Sequence, residues 1–151
     1  MPQLNPTQEE LLVEPVKPAG FFPVITTEKL EECHIFYQQH FGLKVIFECD
    51  WYIHLATDTG IQLGFLQPNQ PRQPAFLQRA YSGEGIIFSF EVEKIDEEYK
   101  KLSHSGVPIL FPLTTEDWGQ RHFMTKDPSG MIIDIIQATE PTDEYKDHYC
   151  E

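Results

Sequence analysis

Few side chains in this sequence can do chemistry, and one stands out by its surroundings. Asp134 interrupts Met131-Ile132-Ile133-Asp134-Ile135-Ile136, an otherwise apolar run. An unpaired carboxylate cannot be buried cheaply, so such a residue faces either a partner or a cavity. At a cavity it can accept a ligand's hydrogen bond or hold a positive group. With its pKa raised by desolvation it can also act as a general base. His54 and His122 stand in β-rich runs, where an imidazole can touch a ligand. His34 and His40 fall on a predicted helix and His104 at the end of another, and these three read as surface residues; His148 lies in the tail. No two histidines have the i, i+4 spacing of helical metal ligands. There is no Gly-x-Ser-x-Gly elbow, phosphate loop or dinucleotide fingerprint. The residues therefore assign no catalytic side chain, no metal ligand and no cofactor.

Asp134 is positioned by a predicted hairpin. Trp118–Lys126 is one strand, Asp127-Pro128-Ser129-Gly130 the turn and Met131–Gln137 the next strand. Asp suits the first position of a type I turn, Pro the second and Gly the fourth. Two further strands and a helix lead to it: Ile86–Val92, then Lys94–Ser105 with Ile95, Tyr99 and Leu102 on one face, then Pro108–Leu113. Asp96–Lys100 and Glu97–Lys101 have the spacing of helical ion pairs.

The same order occurs earlier. Phe21–Thr27 reads as a strand and Glu28–Phe41 as a helix capped by Thr27 and stopped by Gly42. Leu43–Glu48, Trp51–Ala56 and Ile61–Leu66 are three strands, with a turn at Asp58-Thr59-Gly60. Gly42-Leu43-Lys44-Val45-Ile46-Phe47 aligns with Gly106-Val107-Pro108-Ile109-Leu110-Phe111 at an offset of 64, which also pairs Phe22 with Ile86 and Val24 with Phe88. Gly60–Gly64 aligns with Gly130–Asp134 at an offset of 70. The chain thus reads as a duplicated βαβββ unit. The expected organisation is an N-terminal arm (1–20), one domain of two modules (21–66 and 85–138) joined by a linker (67–84), and an acidic tail (139–151). Glu9–Val13 reads as one helical turn of the arm. Phe76, Leu77 and Tyr81 are expected to dock part of the linker.

The 151 residues suit one domain with a real core. The net charge of −13 argues against nucleic acid as a partner. Residues 21–138 hold 16 of the 24 acids and 9 of the 11 bases, so the two tails carry about half of that charge. It reads first as solvated surface, and it also permits a cationic ligand. Cys33, Cys49 and Cys150 show no C-x-x-C spacing and leave one unpaired, as in a reduced, cytoplasmic protein. Cys33 falls at an apolar helical position and reads as core. No apolar run approaches the roughly 20 residues of a membrane span.

Two βαβββ units, Phe36-Tyr37 before Phe41-Gly42-Leu43, and Asp127-Pro128-Ser129-Gly130 before the last strand resemble the vicinal oxygen chelate superfamily over residues 21–138. That superfamily includes glyoxalase I, extradiol dioxygenases, fosfomycin-modifying enzymes and bleomycin-resistance proteins. Trp118-Gly119-Gln120-Arg121-His122-Phe123 makes the bleomycin-resistance branch, with its link to antibiotic resistance, the most similar. The resemblance implies an α+β fold whose sheets curl around a cavity, often completed by a second copy in a homodimer. It also implies metal-ligand positions at Phe22, Gly64, Ile86 and Asp134, of which only Asp134 can bind a cation. Gln62, facing the same way as Gly64, would add a second oxygen.

Strand parity places Phe22 and Val24, then Ile86, Phe88 and Phe90, then Asp134 on the cavity side. With Gln62, and with Trp51 and Trp118 near strand ends, these make an expected ligand pocket; the alternative is that they simply fill the core. Arg121 either binds a ligand anion or pairs with Asp134 or Asp117. The expected function is metal-free sequestration of an aromatic, in one form cationic, small molecule. The rivals are a lyase, isomerase or dioxygenase working in the same cavity, with Asp134 as base in the metal-free case, and a dimer with an inert, filled cavity.

Overall fold

The computed structural model describes residues 14–150, so Glu9–Val13 lies outside them. Two modules of the same order follow one another. The first holds β1 (Val24–Thr26), α1 (Leu30–Phe41), β2 (Lys44–Glu48), β3 (Tyr52–Ala56) and β4 (Gln62–Leu66). The second holds β5 (Ile87–Glu91), α2 (Ile95–His104), β6 (Phe111–Glu116), β7 (Gln120–Lys126) and β8 (Ile132–Ala138). Each makes a four-stranded mixed sheet, in the orders β1-β4-β3-β2 and β5-β8-β7-β6. The fold is α+β, two βαβββ modules whose sheets curl without closing into a barrel.

The back face of each sheet is packed and apolar. Ile25, Ile53, Leu55, Leu63 and Phe65 meet Cys33, Phe36 and Tyr37 of α1, and Phe123, Ile133 and Ile135 join Ile95 and Leu102 of α2 in one continuous cluster. Cys33 is fully buried, as its apolar position requires. Tyr37 packs on Phe65 within the first module at 5.5 Å, and Phe41 meets Phe90 of the second at 4.7 Å, a ring contact that joins the modules. A polar contact adds to this, because the Tyr37 hydroxyl donates to Asp127 Oδ2 at 2.6 Å. Gly42 ends α1 in the left-handed conformation, φ +68°, which lets its N–H return to the Tyr37 carbonyl.

Several boundaries and pairings differ from the sequence expectation. Thr27 does not cap α1 itself; its Oγ1 accepts the Lys29 N–H just ahead of the helix. The Pro108–Leu113 strand begins three residues later and runs on to Glu116, with an irregularity between Phe111 and Thr114 in its pairing with β7. The i, i+4 pairs of α2 do not form: Lys101 turns to Glu98 at 3.1 Å, and Asp96 turns away to Arg121. In the linker, Tyr81 packs on the core and its N–H bonds the Thr26 carbonyl. Phe76, on a single 3₁₀ turn (Ala75–Leu77), is instead 85% exposed.

The tail is more than solvated acid. Thr139 and Thr142 bond back to Gly119 and Asp117, and a short helix α3 (Asp143–Lys146) brings Tyr145 within 6.5 Å of the Trp118 ring. The Tyr149 hydroxyl donates to the Trp118 carbonyl.

Candidate functional site

Register decides which side chains reach the front faces, opposite the helices. In the first module Val24 pairs with Gly64 and His54 with Gly64, so Val24, Gln62, Gly64, Tyr52 and His54 share the front. The Phe22 ring meets the His54 ring edge-on at 4.5 Å and so joins them. In the second module Ser89, not Phe88 or Phe90, pairs with Asp134. The front strip of β5 is therefore Ile87, Ser89 and Glu91. This corrects the parity assigned to Ile86, Phe88 and Phe90. Phe88 and Phe90 point to the back and pack on the core, and Ile86 precedes the strand. The offset between the first strands of the modules is 65 rather than 64, and a slip of one residue exchanges the faces.

On the front of the second sheet, three polar side chains run diagonally across β8, β7 and β6. His122 Nδ1 lies 2.7 Å from Asp134 Oδ1, and His122 Nε2 lies 3.6 Å from Glu116 Oε2. The His122 side chain is only 5% exposed, and its Nε2 is buried with no hydrogen-bond partner among the described residues. Burial raises the Asp134 pKa, offset in part by the hydrogen bond and charge of His122 and reinforced by Glu116. An ionised Asp134 can only accept, so Nδ1 carries a proton; in the neutral imidazole Nε2 then presents a lone pair toward Glu116. Aromatic rings frame the group, Phe111 at 5.4 Å from His122 and Trp118 at 6.3 Å. Trp118 Nε1 donates to Gln120 Oε1 at 2.9 Å, which fixes its ring.

A carboxyl whose folded pKa is raised gives stability that is complete below the unfolded value, about 3.9, and is lost as pH rises through the folded value. Asp134→Asn removes the ionisable form while its amide oxygen can still accept the Nδ1–H. The variant is expected to be at least as stable as the parent at pH 7.5, with the difference shrinking toward pH 4. Urea midpoints at the two pH values check this. A large loss of stability at pH 7.5 would instead make the carboxylate a required structural partner.

The first sheet carries a second polar chain. Tyr52 Oη lies 2.7 Å from His54 Nδ1, and His54 Nε2 lies 2.7 Å from Gln62 Oε1. The amide oxygen only accepts, so Nε2 donates to it and Nδ1 accepts the phenol proton. Gly64 makes room for this chain: a Cβ there would lie 2.3 Å from Tyr52 Oη and 3.1 Å from Val24 Cγ2. Gly64→Ala should therefore destabilise the fold by about 1–3 kcal/mol through overpacking. In a Tyr52→Leu background most of that cost should vanish. Equal losses in both backgrounds, measured by urea unfolding, would show that Tyr52 is not the obstacle.

The remaining expected site residues are dispersed. Arg121 pairs with neither Asp134 nor Asp117; its guanidinium grips Asp96 of α2 with Nη2 at 2.9 Å and Nε at 3.3 Å, and bonds Thr115. Trp51 lines a cavity of about 340 Å³ with Gln70, Pro71, Arg72 and Gln73 of the linker. Gln62 lines another of about 660 Å³, between the modules, with Phe21, Ile61, Ile87 and Phe88. The structure thus unites Asp134 with Trp118 and unites Phe22, Val24 and Gln62, as two separate groups. Glu116 and Tyr52 were not anticipated. A signal for Tyr52 existed in its alternation with His54, whereas the irregular pairing of β6 hid Glu116.

The superfamily's metal positions become Phe22, Gly64, Ile87 and Asp134 in the observed register. Three have no donor atom, the space over Gly64 is filled by Tyr52, and one Asp134 oxygen faces His122. This donor set does not fit a catalytic cation, which generally needs three protein ligands.

Residues 21–140 match the model of the glyoxalase-like domain family, and the chain belongs to that family. The fold is similar to that of a glyoxalase/bleomycin resistance protein/dioxygenase from Nocardioides (18% identity, TM-score 0.73, 89% of this chain and 92% of that one). It is also similar to a lactoylglutathione lyase from Agrobacterium tumefaciens (16%, 0.63, 80% and 94%). A third likeness is to a glyoxalase/bleomycin resistance protein/dioxygenase from Alicyclobacillus acidocaldarius (22%, 0.60, 84% and 95%). A search of curated proteins gives no match. Among the described residues no helix is long and apolar enough to cross a membrane.

Proposed function

We propose that this protein is a small-molecule binding protein whose binding site uses no metal and sequesters an aromatic compound bearing a positive, hydrogen-bond-donating group. One observation carries the reading. In the neutral imidazole with its proton on Nδ1, two acceptors, His122 Nε2 and Glu116 Oε2, converge at 3.6 Å, where Nε2 has no hydrogen-bond partner among the described residues. Facing lone pairs repel, and an unsatisfied buried acceptor costs about 1–3 kcal/mol. An ammonium or amidinium between them satisfies both, while Trp118 and Phe111 offer ring faces for stacking or cation–π contact. A thermal-shift screen of aromatic amines against neutral and anionic isosteres tests this. A consistent preference for the anions would overturn it.

The Asp134–His122 pair also supports a second reading, a metal-free isomerase in which His122 rather than Asp134 is the base and Asp134 holds its tautomer. Chemical change in a compound that the protein binds, abolished by His122→Gln, would favour it over sequestration.

We also propose that the protein works as a homodimer. Phe22, Val24 and Ile87 on the two front faces are each roughly half exposed, and among the described residues β1 and β5 are unpaired sheet edges. Such edges and apolar faces are normally covered. Light scattering should give twice the 17.5 kDa of one chain at micromolar concentration; a monomer would exclude it.

A further inference from the structure

Away from both front faces, α1 and the edge strand β2 bring three metal-ligating side chains together. Glu31 and His34 lie one turn apart on α1, and Glu48 ends β2. Glu48 pairs with Ile53, a core residue, so its side chain is on the same face of the sheet as α1. One donor atom from each of Glu31, His34 and Glu48 lies within 4.8 Å of the others. His34 is not the surface residue its sequence position suggests: its side chain is 18% exposed, and Nδ1 is sealed from solvent with no hydrogen-bond partner among the described residues. The nearest charged atom, Glu31 Oε2, is 4.0 Å away, too far for a hydrogen bond.

We propose that Glu31, His34 and Glu48 form a site for a first-row transition-metal dication such as Zn²⁺ or Co²⁺. A cation bound at ordinary lengths holds its donors roughly 3–4 Å apart, a range that includes the Glu31–His34 separation. It would give the orphaned Nδ1 its partner and neutralise two carboxylates held side by side. An imidazole among the donors selects against Mg²⁺ and Ca²⁺, which prefer oxygen alone. Three protein donors from two elements leave an open position for water. Because the ligands come from both α1 and β2, the metal would clip the helix to the sheet edge and stabilise the folded chain by mass action. This site has no residue in common with the Asp134–His122–Glu116 group, so it stands or falls independently of the proposed ligand binding.

The test is calorimetric titration of the chelator-treated full chain with ZnCl₂ and CoCl₂, with unfolding midpoints recorded in parallel. The expected result is one Zn²⁺ per chain, competed by an excess of Co²⁺ but not of Mg²⁺, and a higher midpoint in its presence. Glu31→Gln, an exposed change that spares the fold, and Glu48→Gln should each weaken binding at least tenfold, and His34→Ala more. His148→Ala, in the tail, should change it less than twofold. Absence of zinc binding by the folded parent, or zinc binding that all three ligand variants leave unchanged, overturns the proposal.

Discussion

Asp127→Ala should cost about 3–5 kcal/mol of folding stability, from several lost charge-assisted bonds and the buried donors they leave unpaired. The carboxylate is 3% exposed and accepts four hydrogen bonds. Oδ1 takes the Ser129 N–H at 2.7 Å, the Ser129 hydroxyl at 2.5 Å and the Met131 N–H at 3.1 Å, which together fold the β7–β8 turn. Oδ2 takes the Tyr37 hydroxyl from α1, which ties the turn to the first module. Alanine leaves the buried phenol and the Met131 N–H with no acceptor. Against a typical total of about 5–15 kcal/mol, this is a large fraction.

Tyr37→Phe removes only one of these bonds and should cost about 1–2 kcal/mol. The double variant should cost less than the sum of the singles, because no phenol remains to be orphaned. Burial, followed by the Asp127 charge, holds the Tyr37 pKa well above its ordinary value. The folded chain therefore keeps a proton that the unfolded chain releases near pH 10. That contribution is complete below pH 10 and is lost as pH rises beyond it, so the parent should unfold in alkali more steeply than Tyr37→Phe. Urea titrations of the four proteins at pH 7.5 check the cycle. A loss under 1 kcal/mol for Asp127→Ala would show that the turn is not what joins the modules.

The Asp127 turn and the duplication around it were legible in the sequence because both are local. Turn residues at fixed offsets and apolar runs of strand length declare themselves without knowledge of the partner strand. Asp134 was legible for the same reason, as the one acid in an apolar strand. Its partner was not. His122 reaches Asp134 across a diagonal between strands, and Glu116 reaches His122 from a strand whose pairing an irregularity has shifted. Which diagonal forms depends on register, and register belongs to the pair of strands, not to either sequence. The same physics misplaced Ile86, Phe88 and Phe90: the internal alignment was off by one residue, and in a strand one residue is a whole face. Arg121 lay beyond sequence reasoning for a different cause. Asp96, the carboxylate it grips, is 25 residues away on α2, and only the packing of helix on sheet brings them together.

Glu116→Gln should weaken binding of an aromatic amine about 10–150-fold, the equivalent of about 1.5–3 kcal/mol for one charge-assisted hydrogen bond. The sequence put the anchoring charge on Asp134, but in the structure that carboxylate already faces His122 Nδ1. The acceptors left for a ligand are His122 Nε2 and Glu116 Oε2, so the direct contact moves to Glu116 and Asp134 acts through the imidazole it orients. With 1-naphthylmethylamine as probe and 1-naphthylmethanol as its neutral counterpart, the parent should prefer the amine at pH 7.5. Glu116→Gln should abolish that preference and leave the alcohol nearly unaffected. Asp134→Asn should weaken the amine too, because the imidazole is no longer held by a charge with its lone pair toward the ligand. Trp118→Ala should weaken both probes alike, since it removes ring area and not charge. Trp118 fluorescence reports the first three titrations, and calorimetry the last. If both probes bind equally to the parent, the front face takes aromatic compounds without an ionic anchor. If Glu116→Gln binds the amine as tightly as the parent does, the converging acceptors are a structural feature of the β6–β8 sheet, and the ligand's charge is met elsewhere.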